Sequence, residues 1–359
     1  GVTLAYKRPM GGPAHVLYLP QAMTVAEART VAAKLAQNAN VEYAEPDYVR
    51  RALVVPVTPN DPGYAWNGIS SNTGFTFTTS SDTSKTGVQG QWNLMAPTAT
   101  YAYKPLGGTA STMAPIGGAN LPSAWAITQG SGIVVGVVDT GVTSHPDLDG
   151  NLIGGVPSAS GYDFISGNVS GVTSSDPYFT ANDGDGRDSD PSDPGDYLAV
   201  GDCGTNDPSS AENSSWHGTH VAGIIAAVTN NGTGVAGTAY NSKVLMARAL
   251  GRCGGTTSDI VDAMLWAGGL NVTGVTANSN PAKVINLSLG GSTADGVDTC
   301  STAEQNAVTA LHTAGVVVVA ATGNDGTKRI ASPSSCAGVI AVTSHTIEGD
   351  NADYSNVGN

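Results

Sequence analysis

The chain has 359 residues, enough to bury a sizeable core as one large domain or two unequal ones. With 40% hydrophobic and only 12% charged residues it does not have the composition of a disordered chain. A formal net charge of −14 argues against a phosphate-backbone binder, which needs a basic face. No apolar run reaches the roughly 18 residues of a spanning helix, so neither a nucleic-acid partner nor a membrane span is expected.

In chain order, His15–Leu19 reads as a strand. Thr24-Val25-Ala26-Glu27 is a capping box. Ala28, Val31, Ala32 and Leu35, three and four apart, carry the helix it opens to about Gln37. Val41–Ala44 alternates as a second strand, stopped by Pro46. Residues 1–57 are thus expected to be a fragment of a small α+β module. Residues 58–120 differ. The Pro59–Gly63 turn, the Ser/Thr-rich stretch Ser71–Gly87 and the anchor Trp92/Leu94 predict a linker and an extended arm lying on the next domain. From Leu121 to Asn359 the pattern becomes α/β. Ile133–Val138 is a continuous β-branched run, the mark of a strand buried on both faces of a parallel sheet. Similar runs recur at Lys243–Ala247, Lys283–Leu287, Val316–Ala321 and Val339–Val342. Helices are predicted between them at His217–Val228, Ser258–Ala267 and Thr302–Thr313. This alternation predicts a doubly wound, mostly parallel sheet. The chain starts without Met and stops after the loop-like Tyr354–Gly358, so both ends read as cut.

Four cysteines allow two disulfides in three connectivities. Cys203–Cys253 with Cys300–Cys336 is the favoured pairing, and it ties a rim near Cys253 to an acidic loop; four buried thiols are the alternative. The acids are lopsided, with only six Glu, and eight Asp lie between Asp183 and Asp207. Asp clusters belong to turns and cation sites. Asp-rich, Lys-poor and disulfide-permissive, the chain reads as secreted.

In a doubly wound sheet the site lies at the carboxyl ends of the strands. Three polar residues follow strands or open a helix there: Asp139 in Val138-Asp139-Thr140-Gly141, His217 in His217-Gly218-Thr219-His220, and Asn324 in Ala321-Thr322-Gly323-Asn324. Singly, each has an ordinary reading as a turn or helix-start residue. Together, an orienting acid, a general base and an amide donor fit acyl transfer. A zinc reading of His217 and His220 is disfavoured, because no Glu follows and Gly218 weakens the helix.

Val137–Gly141, His217–Gly223, Asn286–Gly291 and Ala320–Asn324 together resemble the motifs of the subtilases, the subtilisin-like serine endopeptidases, in that family's order. The resemblance implies a subtilisin-like fold and hydrolysis of peptide bonds through an acyl-enzyme. It implies His217 as general base, Asp139 as its orienting acid and Asn324 as oxyanion donor. Ser288, Leu289 and Gly290 resemble the strand that pairs with substrate backbone; Gly254 and Gly255 resemble the opposite rim. Ala321, Thr322 and Gly323 resemble a wall of the primary specificity pocket. The family's nucleophile lies in a Gly-Thr-Ser-Met-Ala motif downstream of the oxyanion Asn, and these 359 residues end before one. Gly108–Pro115 mimics it out of order, so Ser111 is not taken as the nucleophile and the chain alone is expected to be inactive. Leu19–Ala28 and Val41–Asp47 resemble the inhibitory propeptide of subtilases, a ferredoxin-like module, here missing its first strand. The chain's own propeptide is thereby an expected partner beside protein or peptide substrates, with maturation cleavage between about Arg51 and Asn60 and a monomeric enzyme.

The acidic loop suits a structural calcium site: Asp183, Asp185, Arg187 (through its carbonyl), Asp188 and Asp193, with glycines for sharp turns. A second calcium site is implied by analogy at Asp147 with the loop around Asn231. The competing readings are a catalytically inactive subtilase-fold peptide-binding protein and a calcium-dependent adhesion module.

Overall fold

The structure is a computed structural model, and it describes residues 2–9, 15–21, 23–46, 59–61, 63–64, 90–99, 101–103, 111–204, 210–291 and 299–358. The chain divides into two compact units, Gly1–Leu53 and Val54–Asn359. Ser71–Gly87, the expected cleavage region up to residue 58 and residues 104–110 lie outside the described residues.

The first unit holds β1 (Ala5–Pro9) and β2 (His15–Tyr18), an antiparallel pair, and α1 (Val25–Leu35). The Thr24/Glu27 capping box is formed in both directions, so two donors orphaned at the helix start are satisfied. Here one strand goes unpredicted and one expected strand is not formed. Ala5–Pro9 pairs although its Lys7-Arg8 centre lacks an apolar alternation. Val41–Ala44 alternates but forms no strand among the described residues; an alternating segment becomes a strand only where a partner supplies its ladder bonds.

The second unit opens with a short ribbon, β3 (Tyr101–Tyr103) against β4 (Ser111–Met113), which places Ser111 on a strand. It continues with α2 (Leu121–Trp125), β5 (Val134–Asp139), β6 (Gly161–Asp163), α3 (His217–Ala226), β7 (Lys243–Arg248), α4 (Thr257–Ala267), β8 (Val284–Leu287), α5 (Thr302–Thr313), β9 (Val317–Ala321) and β10 (Ile340–Val342). The six-stranded sheet has the order β10-β9-β8-β5-β7-β6, with every neighbour parallel.

Successive side chains of a strand face opposite ways, and the core divides accordingly. Val137, Val244 and Met246 pack with Val221, Ala222 and Ala226 of α3. Val138, Leu245, Ala247 and Ile285 pack with Met264 and Ala267 of α4 and Val308 and Leu311 of α5. Each such buried Val, Leu, Ile or Met side chain stabilises the fold by about 1.5–3 kcal/mol. A third cluster joins Tyr64 and Leu94 to Trp125, Ala236 and Tyr240. Gln91 exchanges two hydrogen bonds with the Ala236 backbone, at 2.8 and 2.7 Å. The segment around Leu94 is therefore pinned to the α/β layer. Disulfides join Cys203 to Cys253 and Cys300 to Cys336, as expected. No helix among the described residues is long and apolar enough to cross a membrane.

Candidate active site

β5 is the first strand of the sheet, and the chain later adds β7 on one side of it and β8 on the other. Its carboxyl end is thus the topological switch point, where the two crossovers diverge and leave a crevice. Asp139 is the last residue of β5 and is fully buried. His217 is the first residue of α3. Its Nδ1 lies 2.7 Å from Asp139 Oδ1. A carboxylate accepts, so Nδ1 carries the hydrogen and Nε2 is left as the basic nitrogen. Asp139 Oδ1 also accepts from Thr140 N at 2.8 Å, while Oδ2 is buried without a hydrogen-bond partner.

This pair forms because several local features agree. Thr140 Oγ1 donates to Asp193 and accepts from Gly218 N at 3.0 Å, tying the start of α3 to the end of β5. Gly218 is required there, since a Cβ would run into the Gly141 carbonyl. Trp216, immediately before the histidine, is held in the left-handed region at φ 51°, a conformation that a bulky residue adopts only under constraint. Ser215 on its other side is fixed by Asp196, which accepts from both Ser215 N and Oγ at 2.6 Å. The hydrogen bond to Asp139 raises the His217 pKa above the ordinary 6.5; burial opposes this, and the charges of Asp139 and Asp196 add to it. A half-exposed imidazole held in one tautomer by a buried carboxylate is equipped to take a proton from a nucleophile and return it to a leaving group.

Asn324 is exposed, in the turn that follows β9. Ser288, Leu289 and Gly290 follow β8 directly, and Ser288 Oγ accepts from Asn286 Nδ2 at 3.0 Å. Gly290 and Gly323 both abut the buried Ala331: a Cβ built on either would lie 3.0 and 3.4 Å from the Ala331 Cβ. Ala331 N donates to Thr322 O. The two segments read as substrate-pairing strand and pocket wall, Ser288–Gly290 and Ala321–Gly323, are therefore brought together. Gly254 and Gly255 lie beyond Cys253, where Gly251 and Gly254 exchange backbone hydrogen bonds at 3.0 Å.

The acidic loop divides into two sets. Asp183 pairs with Arg248 at 2.5 Å. The Arg187 guanidinium turns away from the loop to Asp259 at 2.5 Å and Asp262 at 2.7 Å. Asp193 is buried and accepts from Thr140 Oγ1 and Gly195 N. Asp185 and Asp188 remain together: burial, then the charges of Asp185, Asp190 and Asp183, raise the Asp188 pKa. At the second expected site, Asp147 accepts from Asn231 Nδ2 and Val235 N, both at 2.8 Å. Those partners are N–H donors, which serve the carboxylate without a cation. Among the described residues, Cys300, Glu304 and Cys336 are the one grouping of three potential metal ligands, and both cysteines are in a disulfide.

Two interacting residues escaped the sequence reading. Arg248, fully buried at the end of β7, donates to Asp163, Asp183 and the carbonyls of Thr140 and Ala181. Asn356, also fully buried, fastens the turn around Asn324.

Residues 130–359 match the model of the subtilase family, peptidase family S8. The chain is 42% identical over 339 residues to an extracellular protease of Xanthomonas campestris, covering 94% of this chain and 47% of that protein. It is 37% identical over 361 residues to an extracellular basic protease of Dichelobacter nodosus, covering 100% of this chain and 49% of that protein. The chain therefore spans about half the length of these curated relatives. A solved protease structure from Pseudoalteromonas arctica superimposes with a TM-score of 0.60 at 52% identity, over 67% of this chain and 64% of that one. By its parallel sheet, its Asp139–His217 pair and this family match, the chain belongs to the subtilase family of serine peptidases.

Proposed function

We propose that the full-length protein is a secreted serine endopeptidase that cleaves peptide bonds through an acyl-enzyme. The observation that carries this reading is the 2.7 Å contact between His217 Nδ1 and the buried Asp139 at the switch point of the sheet. In the mechanism, His217 Nε2 takes the proton of a serine hydroxyl as that oxygen attacks the scissile carbonyl. Asp139 holds the tautomer and stabilises the imidazolium that forms. The Asn324 side chain donates to the developing oxyanion. His217 then gives its proton to the leaving amine, and water repeats the cycle to free the enzyme. Ser288–Gly290 and Gly254–Gly255 pair with the substrate backbone by strand addition, and Ala321–Gly323 flank the side chain at the cleaved bond. The nucleophilic serine belongs to a Gly-Thr-Ser-Met-Ala motif that these 359 residues do not contain, so this chain by itself is inactive.

Residues 1–57 act as the inhibitory propeptide in this reading; its hairpin and capped helix are the parts of such a module that are described. A calcium ion is assigned to the Asp185–Asp188 part of the acidic loop, whose all-oxygen donors suit it and whose mutual repulsion it would relieve. Its role is to hold the loop, and no chemical step passes through it.

The test is labelling by a fluorophosphonate probe. The full-length protein is expected to be labelled and to hydrolyse casein, H217A to do neither, and the 359-residue chain to stay unlabelled. A full-length protein with no labelling and no hydrolysis is the outcome of an inactive peptide-binding protein and overturns the reading. Chelation is expected to lower the thermal midpoint of the chain, with a smaller shift in D185A/D188A; equal shifts in both would remove calcium from this loop.

A further inference from the structure

Asn356 is an amide buried to 0% exposure, and its side chain and backbone both bond to one turn. Its Oδ1 accepts from Asp325 N at 2.9 Å and Thr327 N at 3.1 Å. Its Nδ2 donates to Thr322 O and to Asp325 Oδ2, both at 3.1 Å. Its backbone N donates to Gly323 O at 3.0 Å, and its backbone O accepts from Thr322 Oγ1 at 2.8 Å. Residues 322, 323, 325 and 327 are thus each bonded to Asn356, and the residue they bracket is Asn324. Gly323 completes the fit: it sits at φ 106°, and a Cβ there would collide with Asn356 Nδ2. A buried side-chain network of this kind specifies one conformation, because any other leaves polar groups unpaired in a low dielectric. The turn matters to catalysis because an oxyanion donor acts through preorganisation: its N–H must already stand where the charge will develop.

We propose that Asn356 is a positioning residue that holds the Thr322–Thr327 turn so that Asn324 points its amide at the oxyanion. This rests on the reading of Asn324 as the oxyanion donor. Asn356 touches no reacting atom; it acts through the turn that carries Asn324. Only an amide satisfies the site, since the turn presents two N–H donors to Oδ1 and two acceptors to Nδ2.

The test is a double-mutant cycle in the full-length protein with a peptide ester substrate. N356A is expected to lower kcat about 10- to 100-fold with little change in KM, below the about 100- to 1,000-fold of N324A, the size known for such donors in subtilisin. In the N324A background, N356A is expected to cost less than about 3-fold, because the group it positions is already gone. An equal loss in both backgrounds, or a rise in KM at unchanged kcat, overturns the proposal. Should N356A not fold, N356D runs the same cycle, since it keeps the shape and loses both donors. A second arm reads hydrogen exchange at the Asp325 and Thr327 amides of the 359-residue chain. Faster exchange in N356A or N356D than in wild type is expected, and unchanged exchange overturns the proposal. If the wild-type full-length protein hydrolyses nothing, the function reading fails, while the exchange arm still decides whether Asn356 holds the turn.

Discussion

Two aspartates end parallel strands of the same sheet, Asp139 on β5 and Asp163 on β6, and both are fully buried. Their partners set them apart. Asp139 faces a half-exposed imidazole that can gain and lose a proton at ordinary pH. Asp163 faces Arg248, whose charge is fixed, and shares that guanidinium with Asp183. One cation neutralises one carboxylate, and the other must keep a proton or stay uncompensated. Burial pushes the Asp163 pKa up to about 8, with the Arg248 charge opposing the rise and the nearby Asp183 adding to it. The same residue type at the same kind of position is thus bonded to a titratable imidazole in one place, where we propose that it orients the base, and is part of a structural knot in the other. Thr140 touches both: its hydroxyl serves α3 and Asp193, and its carbonyl receives Arg248 Nε at 3.2 Å.

The sharpest way to break this contrast is to neutralise each aspartate. D139N in the full-length protein is expected to reduce kcat about 10,000-fold, as in other triads, because the amide no longer enforces the tautomer. D163N removes a group already protonated at neutral pH and is expected to leave kcat within about 3-fold of wild type. Steady-state kinetics on the two variants decides it; comparable losses would show that Asp163 also belongs to the chemistry.

Next in size is Arg248. R248M removes the guanidinium shared by the buried Asp163 and the partly exposed Asp183 and leaves their acceptor oxygens without a donor, which is expected to cost about 3–5 kcal/mol in urea unfolding. A variant as stable as wild type would mean that the guanidinium adds nothing net to the stability of this knot.

The pH dependence of stability follows from the same knot. The folded-state pKa of Asp163, about 8, exceeds the ordinary 3.8, so the native state binds the extra proton between these values. Its contribution is complete below 3.8 and is lost as the pH rises through about 8. Urea midpoints from pH 5 to 9 are therefore expected to carry a falling component that is absent in D163N. Parallel profiles would contradict the assignment.

The smallest effect is expected at the shared residue. T140V leaves Gly218 N and an Asp193 oxygen without that partner and should cost about 1–2 kcal/mol. It should also lower kcat more than R248M does at matched folded fraction, since only T140V loosens α3.

Much of this was legible in the sequence. The apolar runs gave five of the six main-sheet strands, because a strand buried on both faces has little choice of composition. Asp139 stood out because it directly follows such a run and His217 because it opens a helix, both at the end of the sheet where parallel sheets place their sites. The edge strand Gly161–Asp163 was not legible: three residues reading Gly-Tyr-Asp carry no periodicity. Arg248 lies just beyond an apolar run and nothing in the sequence marks it as buried, yet two acids from distant segments converge on it. Asn356 sits in Tyr354–Gly358, which reads as loop; an asparagine that caps a turn in solvent and one that fastens a turn in the interior look identical in sequence. The acidic loop was legible as a cluster but not as a division, since Asp183 and Arg187 are drawn off by long-range ion pairs.

The most direct test of the contrast between the two aspartates is a titration of the His217 imidazole by NMR in wild type, D139N and D163N. The account predicts a midpoint above 6.5 in wild type, a clear fall in D139N, and no change in D163N. A His217 midpoint that D139N leaves in place, or that D163N moves as far, would contradict it.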